Sequence, residues 1–178
     1  MNLLALDPSL TCTGWAAKAD GYNIARGTFS PDTFGVERLA SMVKWLDLTL
    51  HIWQPHLVIL ESYSFASRHQ AHQLGELGGV LRLTLYEREV PFIALAPMVR
   101  AKLATGKGNA SKEHVLAEAV RRLGYTGHSF DEADALWLLQ AGLIFYGLPG
   151  AVEIPKSQRA VLAGLEWPAV VMQETTAA

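Results

Sequence analysis

The period of the apolar positions changes several times along the chain, and each change marks an element. Asn2 to Asp7 is an apolar run that ends in a carboxylate and is closed by Pro8, which reads as a buried strand. Gly14 to Lys18 and Tyr22 to Thr28 are two further strand candidates. Asp20-Gly21 between them is a strong turn signal, so the chain opens as an antiparallel meander. From Pro31 the period lengthens. Val36, Leu39, Val43, Leu46, Leu50 and Trp53 recur at spacings of three and four, an amphipathic helix that Pro55 ends. His56 to Glu61 is again apolar up to its terminal acid, as suits a central strand covered on both faces.

A second long helix is expected over Arg68 to Glu89, with a seam of Leu74, Leu77, Leu81 and Leu85. Gly75, Gly78 and Gly79 interrupt it, each costing roughly 1 kcal/mol of helix propensity relative to Ala. Small residues let another element approach closely. That element is either the protein's own sheet or a helix of a second copy. Phe92 to Ala96 reads as a short strand, Pro97 to Ala104 as a short helix and Thr105 to Ala110 as a Gly/Lys loop. Ser111 is placed to N-cap a helix that runs to Leu123, and Asp131 to Tyr146 is the last clear helix. Beyond Gly147 prolines recur, with a short helix expected within Ser157 to Leu165.

This order predicts an α/β fold: a mixed five-stranded sheet, three antiparallel strands first and parallel strands after, flanked by helices. Residues 1–147 form one expected domain. Residues 148–178 form a C-terminal extension to which the sequence assigns no role.

Composition narrows the setting. A chain of 178 residues can bury a sizeable core. Cys12 is the single cysteine, which excludes an intrachain disulfide framework. The start lacks the basic region of a signal peptide, and no apolar stretch approaches the ~20 residues of a membrane span. A cytoplasmic protein is expected, with no membrane partner. The net charge of −2 argues against indiscriminate nucleic-acid binding. Its distribution changes that picture. Arg100, Lys102, Lys107, Lys112, Arg121 and Arg122 face only Glu113 and Glu118 between residues 100 and 123, leaving the rest of the chain acidic. Such a segment can hold phosphates, or it can be a solvated helix face.

The candidate chemistry lies in four acids. Asp7 and Glu61 each sit at the end of an apolar strand, and Asp131 and Asp134 are spaced i, i+3 at the start of an apolar helix. Singly, such acids serve as turn residues, or as helix-start charges that complement the macrodipole. Together, in this element order, they would converge and repel unless cations neutralise them. Carboxylate oxygens suit hard divalent ions, and two such ions ~3.5–4 Å apart are the usual apparatus of phosphodiester hydrolysis.

Four segments carry a resemblance. Leu4-Ala5-Leu6-Asp7-Pro8-Ser9-Leu10-Thr11-Cys12-Thr13-Gly14-Trp15 resembles the opening motif of the RuvC family of Holliday-junction resolvases. Pro55 to Glu61 resembles its second acidic motif, Thr105 to Val115 its basic loop and following helix, and Asp131-Glu132-Ala133-Asp134-Ala135-Leu136 its closing motif. The resemblance covers about residues 1–147 in order. It implies a ribonuclease H-like fold and a homodimer. It further implies an endonuclease using two Mg²⁺ or Mn²⁺ ions per site to nick opposed strands of a four-way junction. By the same resemblance Asp7, Glu61, Asp131 and Asp134 are the metal-site and catalytic acids, and Lys107 and Lys112 contact the DNA backbone. Glu132, between the matched acids, would point away. Phe65, with Tyr63 as its rival, is the candidate for stacking on unpaired bases, and Arg68 is a candidate DNA contact. The family often has Gly where this chain has Ser9.

Three other readings compete. A nuclease for forks, flaps or other branched DNA would keep the same chemistry. An actin-like or sugar-kinase-like ATPase shares the strand-Asp-turn beginning, but normally needs two such domains. A non-catalytic binder of DNA structures would have no use for all four acids.

Overall fold

Side-chain alternation on the central strands divides the protein into two apolar layers. In the first strand Leu3 and Ala5 face one layer, while Leu4 and Leu6 face the other. The parallel neighbour repeats this, with Leu57 and Ile59 on the first side and Val58 and Leu60 on the second. The period of two is the pleat itself.

The structure is a computed structural model, and it describes residues 1–62 and 70–170. Tyr63, Phe65 and Arg68 lie outside the described residues. The elements are β1 (Leu3–Asp7), β2 (Thr13–Lys18), β3 (Ala25–Phe29), α1 (Gly35–Trp53), β4 (Leu57–Glu61), α2 (Ala71–Glu87), β5 (Phe92–Leu95), α3 (Pro97–Thr105), α4 (Lys112–Leu123), α5 (Phe130–Phe145) and α6 (Lys156–Arg159). The five strands form one sheet in the order β3-β2-β1-β4-β5. β1–β2 and β2–β3 pair antiparallel, and β1–β4 and β4–β5 pair parallel. The mixed sheet expected from the element order is therefore the one observed.

α1 and α2 cover one face through Met42, Leu46, Leu50, Leu77, Leu81 and Leu85. The seam of α2 is thus committed to the protein's own sheet, so it does not form the interface with a second copy that its glycines allowed. On α1 the buried stripe is Met42, Leu46, Thr49 and Leu50, and Val36 is 80% exposed. The predicted apolar face therefore fails at the first turn of α1.

α5 covers the other face and is buried continuously from Ala133 to Ile144. Its alanines and Gly142 allow a close approach. A Cβ on Gly142 would stand 2.5 Å from Ile59 Cδ1. α4 begins as expected, with Ser111 accepting from the His114 backbone N–H at 3.3 Å. The extension after α5 packs back on this layer. Gln140 donates to the Gly150 carbonyl and accepts from the Val152 N–H, and Trp167 stacks on Phe145 with ring centroids 4.4 Å apart. Ile154 and Leu162 join the core. The helix predicted in this segment is α6 followed by a 3₁₀ turn, Ala160–Leu162. Among the described residues no helix is long and apolar enough to cross a membrane.

Candidate active site

Strand register brings the first two acids together. Leu6 pairs with Leu60 across the parallel β1–β4 ladder, so Asp7 and Glu61 are the next residues at the same end of adjacent strands. Both continue the alternation of Leu3, Ala5, Leu57 and Ile59, which places their carboxyls on the α5 side of the sheet. A one-residue slip in either strand would send its acid to the opposite face.

α5 supplies the other two. Its N-terminus lies on β2 so closely that a Cβ on Gly14 would fall 2.0 Å from the Asp131 carbonyl oxygen. Glycine is required there because backbone meets backbone. The preceding loop is anchored by Tyr125, whose hydroxyl accepts from the Ser129 N–H at 3.1 Å and bonds Glu132 at 3.0 Å. Ser129 caps α5 through the Glu132 N–H. Glu132 therefore turns toward Tyr125 and Arg26, away from the cluster, as its helical position predicts. Asp131 and Asp134, one turn apart, face the strand ends.

The cluster is electrostatically strained. Asp7 is 8% exposed. Burial, then the charges of Glu61 and Asp134, push its carboxyl well above the usual carboxylate range, with Arg100 opposing and Asp131 adding to the rise. Asp134 is 1% exposed, and burial is the main cause that raises it from 3.8 to about 7. Arg100 and Lys112 act to lower it, while Glu61 and Asp131 act to raise it. Its Oδ2 is buried with no hydrogen-bond partner among the described residues. These groups fit a divalent cation: several acids that raise one another's proton affinity, one of them presenting an unused buried oxygen.

The sequence places Arg100 in a basic segment, either a phosphate-holding patch or a solvated helix face. The structure turns it inward. It lies on α3, 6% exposed, on a face otherwise made of Ala101, Leu103 and Ala104. Its Nε donates to Glu61 Oε2, its Nη2 to Glu61 Oε1 at 3.3 Å, and its Nη1 to Asp134 Oδ1. A buried arginine is rare unless paired. The readable signal was the need of a buried acid cluster for a counter-charge. With the guanidinium in place, no three acidic, histidine or cysteine side chains among the described residues stand close enough to hold an ion together.

The remaining candidates differ in position. Lys112 opens α4, exposed, with its charge felt at Asp134. Lys107 is exposed in the turn after α3, where its backbone N–H meets Thr105 Oγ1 at 3.1 Å. Ser9 needs no glycine conformation, since its φ is not positive. Instead its hydroxyl accepts from Thr11 N–H, and its backbone N–H donates to Thr13 Oγ1 at 3.2 Å, closing the turn that follows Asp7.

The profile of the family "Crossover junction endodeoxyribonuclease RuvC" matches residues 3–139. A RuvC of Chlorobium phaeobacteroides is 30% identical over 169 residues, covering 86% of this chain and 87% of its own. A RuvC of Parasynechococcus marenigrum is 27% identical over 152 residues, covering 80% and 97%. Among solved structures, Thermus thermophilus RuvC in complex with a Holliday junction substrate superposes with a TM-score of 0.64 at 25% identity, covering 86% of this chain and 98% of that one. The profile spans β1 through most of α5 and so contains all four acids, and on these matches the chain belongs to the RuvC family of crossover junction endodeoxyribonucleases.

Proposed function

We propose that this chain is a structure-selective endonuclease that resolves Holliday junctions by paired, symmetric nicks. The observation that carries the reading is the convergence of Asp7, Glu61, Asp131 and Asp134 at one end of the sheet, on the face covered by α5, in a chain of this family. The four carboxylates would hold two divalent ions, Mg²⁺ or Mn²⁺. When bound, such ions lower the pKa of a water that attacks the phosphorus and stabilise the leaving 3′-oxygen.

The chain's own residues do the rest. Asp7, on the central strand and within electrostatic reach of the other three acids, would be a shared ligand of the ions. Asp134, buried and with an Oδ2 that has no hydrogen-bond partner among the described residues, would serve as a further ligand to the ions. Lys112 sits at the entrance and draws a phosphate toward the acids, and Lys107 extends that contact along the strand. Phe65 and Arg68 follow Glu61 in the chain and contact the crossover. Residues 148–170 brace α5, and with it Asp131 and Asp134, from behind.

Two like nicks require two sites related by a two-fold axis. Since the leucine seam of α2 is spent on the core, the second copy meets the outward face of α2. There Leu83 is 55% and Tyr86 76% exposed, and a Cβ on Gly75 or Gly79 would meet nothing within 4 Å. Among the described residues nothing fills the space beside those glycines, which leaves room for a partner helix.

The test is cleavage of four-way, three-way, flap and linear DNA by purified protein, with and without Mg²⁺. Mg²⁺-dependent paired nicking of the four-way substrate is expected. Equal cleavage of all branched forms would shift the reading to a general branched-DNA nuclease.

A further inference from the structure

We infer that Arg100 is a built-in counter-cation, which bridges Glu61 and Asp134 and must leave them when divalent ions bind. The inference rests on the metal reading above and adds an internal competitor to it. One guanidinium reaches both acids, two donors to Glu61 and one to Asp134. It is buried, so this pairing is not a surface contact diluted by water.

Two arguments favour displacement over coexistence. The first is geometric. A small divalent ion needs its ligand oxygens at ~2.0–2.6 Å. Here Glu61 and Asp134 are spread around a planar fork, and among the described residues no three potential ligands close on one point. The oxygens that face Arg100 are the ones an ion shared by Glu61 and Asp134 would need. Asp134 Oδ2, which Arg100 does not reach, is left without a hydrogen-bond partner among the described residues. The second is charge. Four carboxylates and two divalent ions already balance. A guanidinium held among them would be surplus and repelled at short range in a poorly screened site. Lys112 also faces Asp134, but from an exposed helix start, where water can take up its charge.

The consequence is a site whose charge is partly offset, and which is folded, before ions arrive, at the expense of ion affinity. A permanent structural ion pair would behave differently: its loss would weaken the protein equally with and without ions.

The experiment compares the full-length wild type with Arg100→Gln and Arg100→Lys, each stripped with EDTA. Mn²⁺ affinity is followed by paramagnetic resonance, and melting temperature is recorded with and without saturating Mg²⁺. Arg100→Gln is expected to bind Mn²⁺ about tenfold more tightly or better, since a buried like charge has been removed. It should also melt lower than wild type in EDTA, with most of that deficit erased by Mg²⁺. Arg100→Lys keeps the charge but loses the fork, and should fall between the two. If Arg100→Gln folds only with Mg²⁺, the inference is supported, and Arg100→Lys then supplies the affinity comparison. Unchanged or weaker Mn²⁺ binding in Arg100→Gln, or a melting deficit of the same size in both conditions, would overturn the inference. Absence of Mn²⁺ binding by the wild type would instead defeat the metal reading itself.

Discussion

Asp134→Asn should stabilise the ion-free protein while abolishing its chemistry. The carboxyl is 1% exposed, and burial raises it from 3.8 to about 7. For an acid shifted upward, the folded state holds the proton that the unfolded state has already released. Its contribution is therefore most favourable below about pH 4, and is lost as pH rises toward 7. By pH 7.5 ionisation has removed about 4 kcal/mol of folding free energy relative to the protonated carboxyl, at about 1.4 kcal/mol per tenfold. Asparagine has nearly the shape of that protonated carboxyl and still accepts from Arg100 through its amide oxygen. In EDTA at pH 7.5 the variant is expected to gain ~2–4 kcal/mol, the lower figure applying if Arg100 relaxes toward the wild-type charge. The gap should narrow to about 2 kcal/mol or less at pH 5 by the same linkage. Saturating Mg²⁺ should reverse the order, because only the wild type gains binding energy from the ion. Urea unfolding at both pH values, with EDTA or Mg²⁺, measures all of this. A variant less stable than wild type in EDTA at pH 7.5 would refute the reasoning. So would a gap that widens toward acid pH.

Asp7→Asn and Glu61→Gln should each lower junction cleavage about 100-fold or more while leaving junction binding in place, measured by nicking and gel-shift assays; retained cleavage in Asp7→Asn would remove the two-ion assignment. Lys107→Ala and Lys112→Ala should each reduce the log–log salt slope of junction binding by about 0.9, and an unchanged slope in both would place these lysines on a solvated face. Gly14→Ala forces a Cβ to within 2.0 Å of the Asp131 carbonyl oxygen. It should cost ~1–3 kcal/mol or more and displace the start of α5, seen as lower melting temperature with Mg²⁺ binding weakened beyond what stability explains. Leu83→Asp should dissociate the dimer in sedimentation without unfolding the protein. Leu81→Asp, by contrast, buries a charge at a site that is fully enclosed, and should unfold it.

Much of the architecture was legible because local periodicity reports local structure. The apolar runs ending at Asp7 and Glu61 announce strands with an acid at one end, and a pleat of period two then determines which face each acid takes once the strands are parallel and in register. Ser111 before α4 and the i, i+3 pair on α5 were visible for the same reason: caps and helix faces depend on neighbours in sequence. Three matters were decided by packing between distant segments. The leucine seam of α2 is equally suited to the protein's own sheet and to a second helix, and only the assembled core shows that Leu77, Leu81 and Leu85 are spent inside. Gly14 reads as an ordinary strand residue until α5 is laid across it. Arg100 reads as one more charge in a basic segment. Nothing next to it in the chain says that it is buried, because its partners, Glu61 and Asp134, stand 39 and 34 residues away. An ion pair's energy depends on distance and on exclusion of water, and both are set by the tertiary fold rather than by the order of residues.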